Sequence, residues 1–438
     1  MDIEKLQAAK SELAATAAYQ TVTAFFDEGS FCEIDAFARS GEGFAEAVAG
    51  FGTVEGMPVY AFAQNSDVSG GAMSKAQTRK LKKLYKLALK TGAPVVGFYD
   101  STGGRLAQGT ELLAGCGEVL NLVSKLSGAV PQISVVTGTC LGTNALAAVS
   151  ADFVLMTEDA QLSLDLTGKN AGADANAKNG TAALVVKDTQ AAVAKARELM
   201  CYLPSNNLTA APESFEEEPK ADHNCIVSKT VDGGSKFKLA DAFGDAARIR
   251  LARLGGSVIG VVRTVGKQLD AASAEKIAGF VRFCDAFSLP VITFADCGGF
   301  DDLKSACKLT AAYAEATTVK ISVVVGKAIG SAYVALAGSG ANADVVYAFP
   351  QAVISPVNTE AAAFIMAPDK MKVPANEQHA AAEQFAQETL SAFYAAQNGF
   401  VDGIVEETEL RSALLAALDM LAGKRVPTVA KKHSTIKF

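Results

Sequence analysis

No stretch of this 438-residue chain reaches the roughly 20 consecutive apolar residues that a membrane-spanning helix needs. Basic residues are in deficit: 40 Lys and Arg stand against 47 Asp and Glu, for a net charge of −7. That balance argues against a dedicated nucleic-acid binder, whose phosphate contacts need a positive surface. The N-terminal MDIEKLQAAKSELAATAAYQ carries acids and lacks the basic-then-apolar pattern of a signal peptide, so a soluble cytoplasmic protein is expected. The eight cysteines include no CxxC pair, and His223, His379 and His433 lie far apart in sequence. Zinc-ligand spacing is therefore absent, scattered thiols are the reading, and no metal site is expected. Also missing are a GxxxxGK(S/T) loop, a GxGxxG followed by an acid about twenty residues on, and GxSxG. What is present is 50% hydrophobic and 20% charged residues, enough to build two or three globular domains, each with its own core.

The informative feature is an internal repeat. The helix-like KLKKLYKLALK leads to PVVGFYDSTGG, a second helical stretch and PQISVVTGTCLGTNALAAVSADFVLM. Further on, AEKIAGFVRFCDAFSL leads to PVITFADCGG, another helical stretch and VKISVVVGKAIGSAYVALAGSGANADVVYAF. Leu81, Leu84, Leu87 and Ala88 fall on one helical face, as do Ile277, Val281, Cys284 and Phe287. Each helix precedes a short Val/Ile-rich run, which predicts parallel strands joined by right-handed helical crossovers. The fold class is α/β, two homologous units, with the linker in PSNNLTAAPESFEEEPKADHN (204–224) and domains over 1–224 and 225–438.

In both copies a strand ends at an acid, Asp100 or Asp296, and passes into glycines. The next strand ends at Gly138 or Gly326, with a second glycine four residues on. Glycine permits turns that other residues avoid, and its missing side chain lets a ligand reach free backbone N–H groups at the start of the following helix. Such groups hold a phosphate or stabilise a developing oxyanion. With no P-loop and no nucleophile set, a site of backbone donors suits enolate chemistry at a thioester, where negative charge grows on a carbonyl oxygen.

The residues resemble the biotin-dependent acyl-CoA carboxyltransferases, the family of propionyl-CoA carboxylase β subunits and of the α subunits of methylmalonyl-CoA and glutaconyl-CoA decarboxylases. FFDEGSFCEID is similar to that family's early D-x-GSF-x-E element, and GFGTVEGMPVYAFAQNSDVSGGAMS to its next strand pair. LALKTGAPVVGFYDSTGGR, YLPSNN, FVRFCDAF, AYAEAT, GKAIGSAY and NGFVDGIVEETELRSALLAALDMLAGKR follow in the family's order, and KKHSTIKF resembles its basic end. The resemblance implies two crotonase-like domains, acyl-CoA on the first, and biotin approaching along the second domain of another subunit. It implies assembly as a homodimer or homohexamer. It also implies a partner biotin carboxyl carrier protein, with a biotin carboxylase or a membrane decarboxylase subunit beside it. The chain lacks the biotin-acceptor M-K-M, its nearest match being Met371-Lys372-Val373. Biotin would therefore be carried by the partner, and a coenzyme A thioester would be the substrate.

Carried over by position, the family's oxyanion-hole glycines fall on Gly103, Gly142, Gly299 and Gly330, with Thr143 and Ser331 replacing glycines beside two of them. Thr102, Gly104, Arg105, Gly138 and Lys327 are the accompanying candidates for substrate binding. Arg105 could orient a carboxylate or form a structural salt bridge, and Tyr333 packs under its loop or serves the site. Cys140 and Cys297 are read as small residues that fit, since the family uses no thiol nucleophile. Arg79, Lys80, Lys82, Lys83, Lys86 and Lys90 read as a solvated basic face, with CoA phosphates as the alternative. Two segments depart from the family: DDLKSACKLTA replaces a longer pocket stretch, and AGADANAKNG replaces two lid elements. The glycines of a third element are missing from ISPVNTEAAAF. Two other readings therefore stay open, a biotin-independent crotonase-type acyl-CoA enzyme and a non-catalytic scaffold paralogue.

Overall fold

The computed structural model describes residues 2–41, 43–220, 225–341 and 343–435. It forms two compact units, Met1–Pro212 and Glu213–Phe438. The join falls inside the linker segment 204–224 rather than at its end, because residues beyond Pro212 already belong to the second unit. Ser214 N–H donates to Gly256 O at 3.1 Å, and Glu216 pairs with Arg411 at 2.7 Å. On the near side, Asn206 Nδ2 donates to Gly92 O at 2.8 Å within the first unit. Residues 221–224, His223 among them, and the last three residues of KKHSTIKF lie outside the described residues.

The first unit is built on strands β1 (Cys32–Glu33), β2 (Ala47–Val54), β3 (Met57–Gln64), β4 (Val95–Ser101), β5 (Gln132–Leu141), β6 (Phe153–Thr157), β7 (Gln161–Ser163) and β8 (Leu184–Val186). They order as β1-β2-β3-β4-β5-β6-β8, with β7 beside β5. The first two pairings are antiparallel and the rest parallel. The second unit repeats this plan with β9 (Phe237–Leu239), β10 (Ala247–Leu254), β11 (Ser257–Thr264), β12 (Val291–Cys297), β13 (Lys320–Ile329), β14 (Val345–Ala348), β15 (Val353–Ser355) and β16 (Gly403–Ile404). Its order is β9-β10-β11-β12-β13-β14-β16, with β15 beside β13. The α/β repeat read from the sequence is thus a repeat of topology.

Helix α1 (Lys75–Thr91) begins where the Ser74 hydroxyl accepts from Gln77 N–H and ends at Gly92, φ 63°. It buries Leu81, Leu84 and Ala88 against the sheet, where Phe62, Tyr85 and Tyr99 share the core. Its basic face is solvated except at one position: Lys80 is buried and pairs with Glu33 at 2.7 Å. Lys82 and Lys83 pair with Glu118 and Asp35. Helix α2 (Thr110–Leu126) follows β4 and α3 (Thr143–Val149) follows β5. In the second unit α4 (Ala271–Ala286) precedes β12, and α5 (Leu303–Glu315) precedes β13. No helix among the described residues is long and apolar enough to cross a membrane.

At the start of β5 the Asp152 carboxylate accepts from Gln132 N–H at 2.8 Å. Its counterpart Asp344 accepts from Lys320 N–H and also meets Lys424 Nζ at 2.8 Å. Burial pushes Asp152 up to about 7, so the folded protein keeps a proton there that the unfolded chain loses near pH 4. The stability linked to this proton is full below about pH 4 and is lost as the pH rises to about 7. Asp152→Asn should remove that slope. Denaturant titrations at pH 4 to 8 should show the variant gaining on the native protein across this window, and a constant difference would refute the assignment.

Candidate active site: four glycine turns

The pairing of β4 with β5 slips by two residues between Tyr99 and Ser101, and that of β12 with β13 slips in the same way between Ala295 and Cys297. The acid in each slip fills it. Asp100 Oδ1 accepts from Thr139 N–H at 3.0 Å and Asp296 Oδ1 from Lys327 N–H at 2.9 Å. A Cβ on Gly138 would stand 2.2 Å from Asp100 Oδ1, and one on Gly326 would stand 2.4 Å from Asp296 Oδ1. Gly138, a candidate for substrate contact, therefore sits against a carboxylate of its own chain.

Beyond each slip the chain turns at a glycine that a side chain would strain: Gly103 (φ 118°), Gly142 (φ 66°), Gly299 (φ 132°) and Gly330 (φ 52°). The N–H groups of these glycines are mostly engaged. Gly142 donates to Ser163 O at 3.0 Å, Gly330 to Ser355 O at 2.7 Å, and Gly103 to Ser101 Oγ at 3.3 Å. The N–H one residue further on has no partner among the described residues at any of the four turns: Gly104, Thr143, Phe300 and Ser331. Gly104, Thr143 and Ser331 are among the residues the sequence nominates, and Phe300 is not.

Gly103 and Gly142 come together. A Cβ on Gly103 would lie 3.8 Å from Leu166 Cδ2, and one on Gly142 would lie 3.2 Å from the same methyl. Leu166, well exposed, overhangs this turn pair, and nothing in the alternation of LSLDLTG singles it out. Beside Gly330 and Ser331 opens an apolar cavity of about 630 Å³ whose lining includes Tyr333, Val334, Ile354, Tyr394 and Phe400. Tyr333 also anchors the loop by donating to Phe400 O at 2.6 Å.

The side-chain candidates are mostly occupied. Thr102 donates through N–H and hydroxyl to Gly70 O, at 3.0 and 3.3 Å. Lys327 Nζ pairs with Glu383 at 3.0 Å. Arg105 donates to Ser40 Oγ and Ser69 Oγ at 2.6 and 2.7 Å and meets the fully buried Glu46 at 3.2 Å. Glu46 was the missed partner, and its signal was a lone acid inside the apolar run FAEAVAG. Burial pushes the Cys140 thiol up to about 12 and raises that of Cys297, so neither is a thiolate near neutral pH.

The carboxyl transferase domain model matches residues 14–436. The chain belongs to the carboxyl transferase family. It is 32% identical to the methylmalonyl-CoA decarboxylase α subunit of Propionigenium modestum, covering 94% of this chain and 91% of that one. It is 31% identical to a putative propionyl-CoA carboxylase β chain of Bacillus subtilis, covering 96% and 93%. Among solved structures it superposes on the transcarboxylase 12S subunit with a TM-score of 0.92 at 28% identity, covering 100% of this chain and 98% of the other. That protein was crystallised as a hexamer with hydrolysed methylmalonyl-CoA bound.

As a carboxyl transferase the chain closes its shortened segments neatly. Only Asp301 and Asp302 separate Phe300 from α5, and Asp302 caps that helix by accepting Ser305 N–H at 2.7 Å. The segment AGADANAKNG folds into a turn of helix, Ala173–Lys178, pinned by Asn176 Nδ2 donating to Leu162, Ala171 and Gly172 carbonyls. The Arg105 contacts to Ser40, Ser69 and Glu46 support its structural reading. Arg105→Gln should destabilise the protein by about 3–5 kcal/mol, because it leaves the buried Glu46 with no opposing charge and only the Ser74 hydroxyl as partner. Adding Glu46→Gln should recover most of that loss in urea denaturation. Unchanged stability with a raised KM would instead make Arg105 a substrate ligand.

Proposed function

We propose that this protein moves a carboxyl group between an acyl-CoA thioester and a biotin borne by a partner protein, as the carboxyltransferase component of a biotin-dependent decarboxylase or carboxylase. The observation that carries the reading is the turn built twice in each unit, leaving two N–H donors free per unit. Carboxyl transfer charges two oxygens, the thioester oxygen of the enolate and the ureido oxygen of biotin, and each needs such donors. The first unit, within 1–224, takes the thioester. Gly104 and Thr143 N–H hold the enolate oxygen, and Leu166 shields it from water, which strengthens those hydrogen bonds.

The second unit, within 225–438, suits the ring system of biotin. Its apolar cavity offers Tyr333, Ile354, Tyr394 and Phe400 to the fused rings, and the N–H groups of Ser331 and Phe300 hold the polar end. Biotin, when bound, supplies the nitrogen that takes up or releases the carboxyl group. No side chain serves as nucleophile, in keeping with protonated Cys140 and Cys297. Methylmalonyl-CoA is the substrate we favour, by the names of the relatives. A biotin carrier protein and a homohexamer follow from the same likeness, and a decarboxylase would add a membrane subunit.

The test is formation of propionyl-CoA from methylmalonyl-CoA by the full chain, with and without free biotin as carboxyl acceptor. Biotin should raise turnover, and Gly142→Val should lower it by about 10²–10³-fold by displacing the adjoining donor. Turnover indifferent to biotin would favour a biotin-free decarboxylase, and failure to bind any thioester would favour a scaffold.

A further inference from the structure

The two units use the same antiparallel hairpin, β2–β3 and β10–β11, with pairs offset by 200 positions, such as Ala47↔Gln64 and Ala247↔Thr264. In the first unit one face of it carries Val48, Gly50 and Ala63. In the second unit the same positions carry Arg248, Arg250 and Arg263, and Lys238 pairs directly across from Arg250. Arg248 lies directly across from Arg263. Like charges set opposite one another on neighbouring strands destabilise a sheet, and the first unit shows that this fold does not require them.

These side chains surround a cavity of about 150 Å³, together with Lys236, Cys225 and the buried Ser228. That is room for about five waters at ~30 Å³ each, the scale of one phosphate group rather than a nucleoside. All three guanidinium groups make their hydrogen bonds through Nη1. Arg248 donates to the Asp245 and Ala247 carbonyls, Arg250 to Asp241 Oδ1 at 3.1 Å, and Arg263 to Cys225 Sγ at 3.4 Å. Their Nη2 and Nε groups have no partner among the described residues, where Asp241 is the one carboxylate that forms an ion pair with the three arginines and Asp245 adds an attractive charge near Arg248. Three half-buried arginines with unused donors, lining one phosphate-sized space, offer the donor set that oxyanions need.

We propose that this cavity binds a phosphate-class oxyanion, held by Arg248, Arg250 and Arg263 with Lys236 and Lys238 beside them. The anion satisfies the free donors and relieves the repulsion across the hairpin. Cys225 reports its presence. Burial would push this thiol up, but the Ser228 N–H and hydroxyl, Arg263 and the Val227 N–H outweigh it and hold the thiol below its usual value. A neighbouring anion cancels part of that advantage and slows thiolate chemistry.

The experiment is alkylation of Cys225 by iodoacetamide in the full chain, followed by peptide mass spectrometry, at constant ionic strength. Millimolar inorganic phosphate should slow alkylation of Cys225 by about tenfold, the effect of raising its pKa by one unit, while chloride does not. Glycerol 3-phosphate runs alongside: equal protection marks a free anion, and stronger protection marks a phosphoryl group carried on a metabolite. Arg248→Gln/Arg263→Gln should abolish protection, and its thermal midpoint should equal or exceed that of the native chain without phosphate. Protection by chloride, or protection that survives in the double variant, overturns the proposal. So does a double variant that changes oligomeric state while the native chain shows no phosphate response, which would make the cluster a subunit contact.

Discussion

A carboxylate wedged into a slipped strand pairing is the constraint on which the rest of this molecule depends. Asp100 reaches across to Thr139 N–H only because Gly138 has no side chain, and Asp296 reaches Lys327 N–H past Gly326 on the same terms. A charged acceptor on a backbone donor is among the stronger hydrogen bonds available to a chain. It holds β5 and β13 two residues out of step with their neighbours. Each strand then overshoots and turns at Gly142 or Gly330, whose own N–H closes on a short added strand. The next N–H is left without a partner among the described residues. The free donors are thus a by-product of strand register, and rigid because the register is.

The repeats keep this frame and differ on the faces it exposes. At the position of Arg105, whose N–H bonds Met73 O, the second unit has Asp301, whose N–H bonds Leu269 O. The buried Glu46 corresponds to Ala246, and the apolar hairpin face of the first unit becomes an arginine face in the second. Duplication fixed the donors, while later substitution could give each copy its own ligand without touching the slip.

Much of the fold was legible in the sequence. Helices α1 and α4 declared themselves through Leu81, Leu84 and Ala88 and through Ile277, Val281 and Cys284, and the strands β4 and β12 through unbroken apolar runs. The duplicated acid-then-glycine pattern located all four turns. Less legible was which atom at each turn is free, because that depends on strand pairing: nothing local says that Ser163 O consumes the Gly142 N–H. Lys80 looked solvated because its partner Glu33 lies 47 residues away. The linker looked continuous because polar composition does not reveal that Ser214 and Glu216 dock on Gly256 and Arg411.

The most direct test of the account replaces one backbone N–H by an ester oxygen, at Thr143 and separately at Gly142, and compares carboxyl transfer from methylmalonyl-CoA. The account predicts a loss of about 10²–10³-fold in kcat for the ester at 143, with thioester binding largely kept. The ester at 142 should chiefly cost stability, through the bond to Ser163. Full transfer by the ester at 143 would contradict the claim that register, rather than the glycine itself, presents the donor.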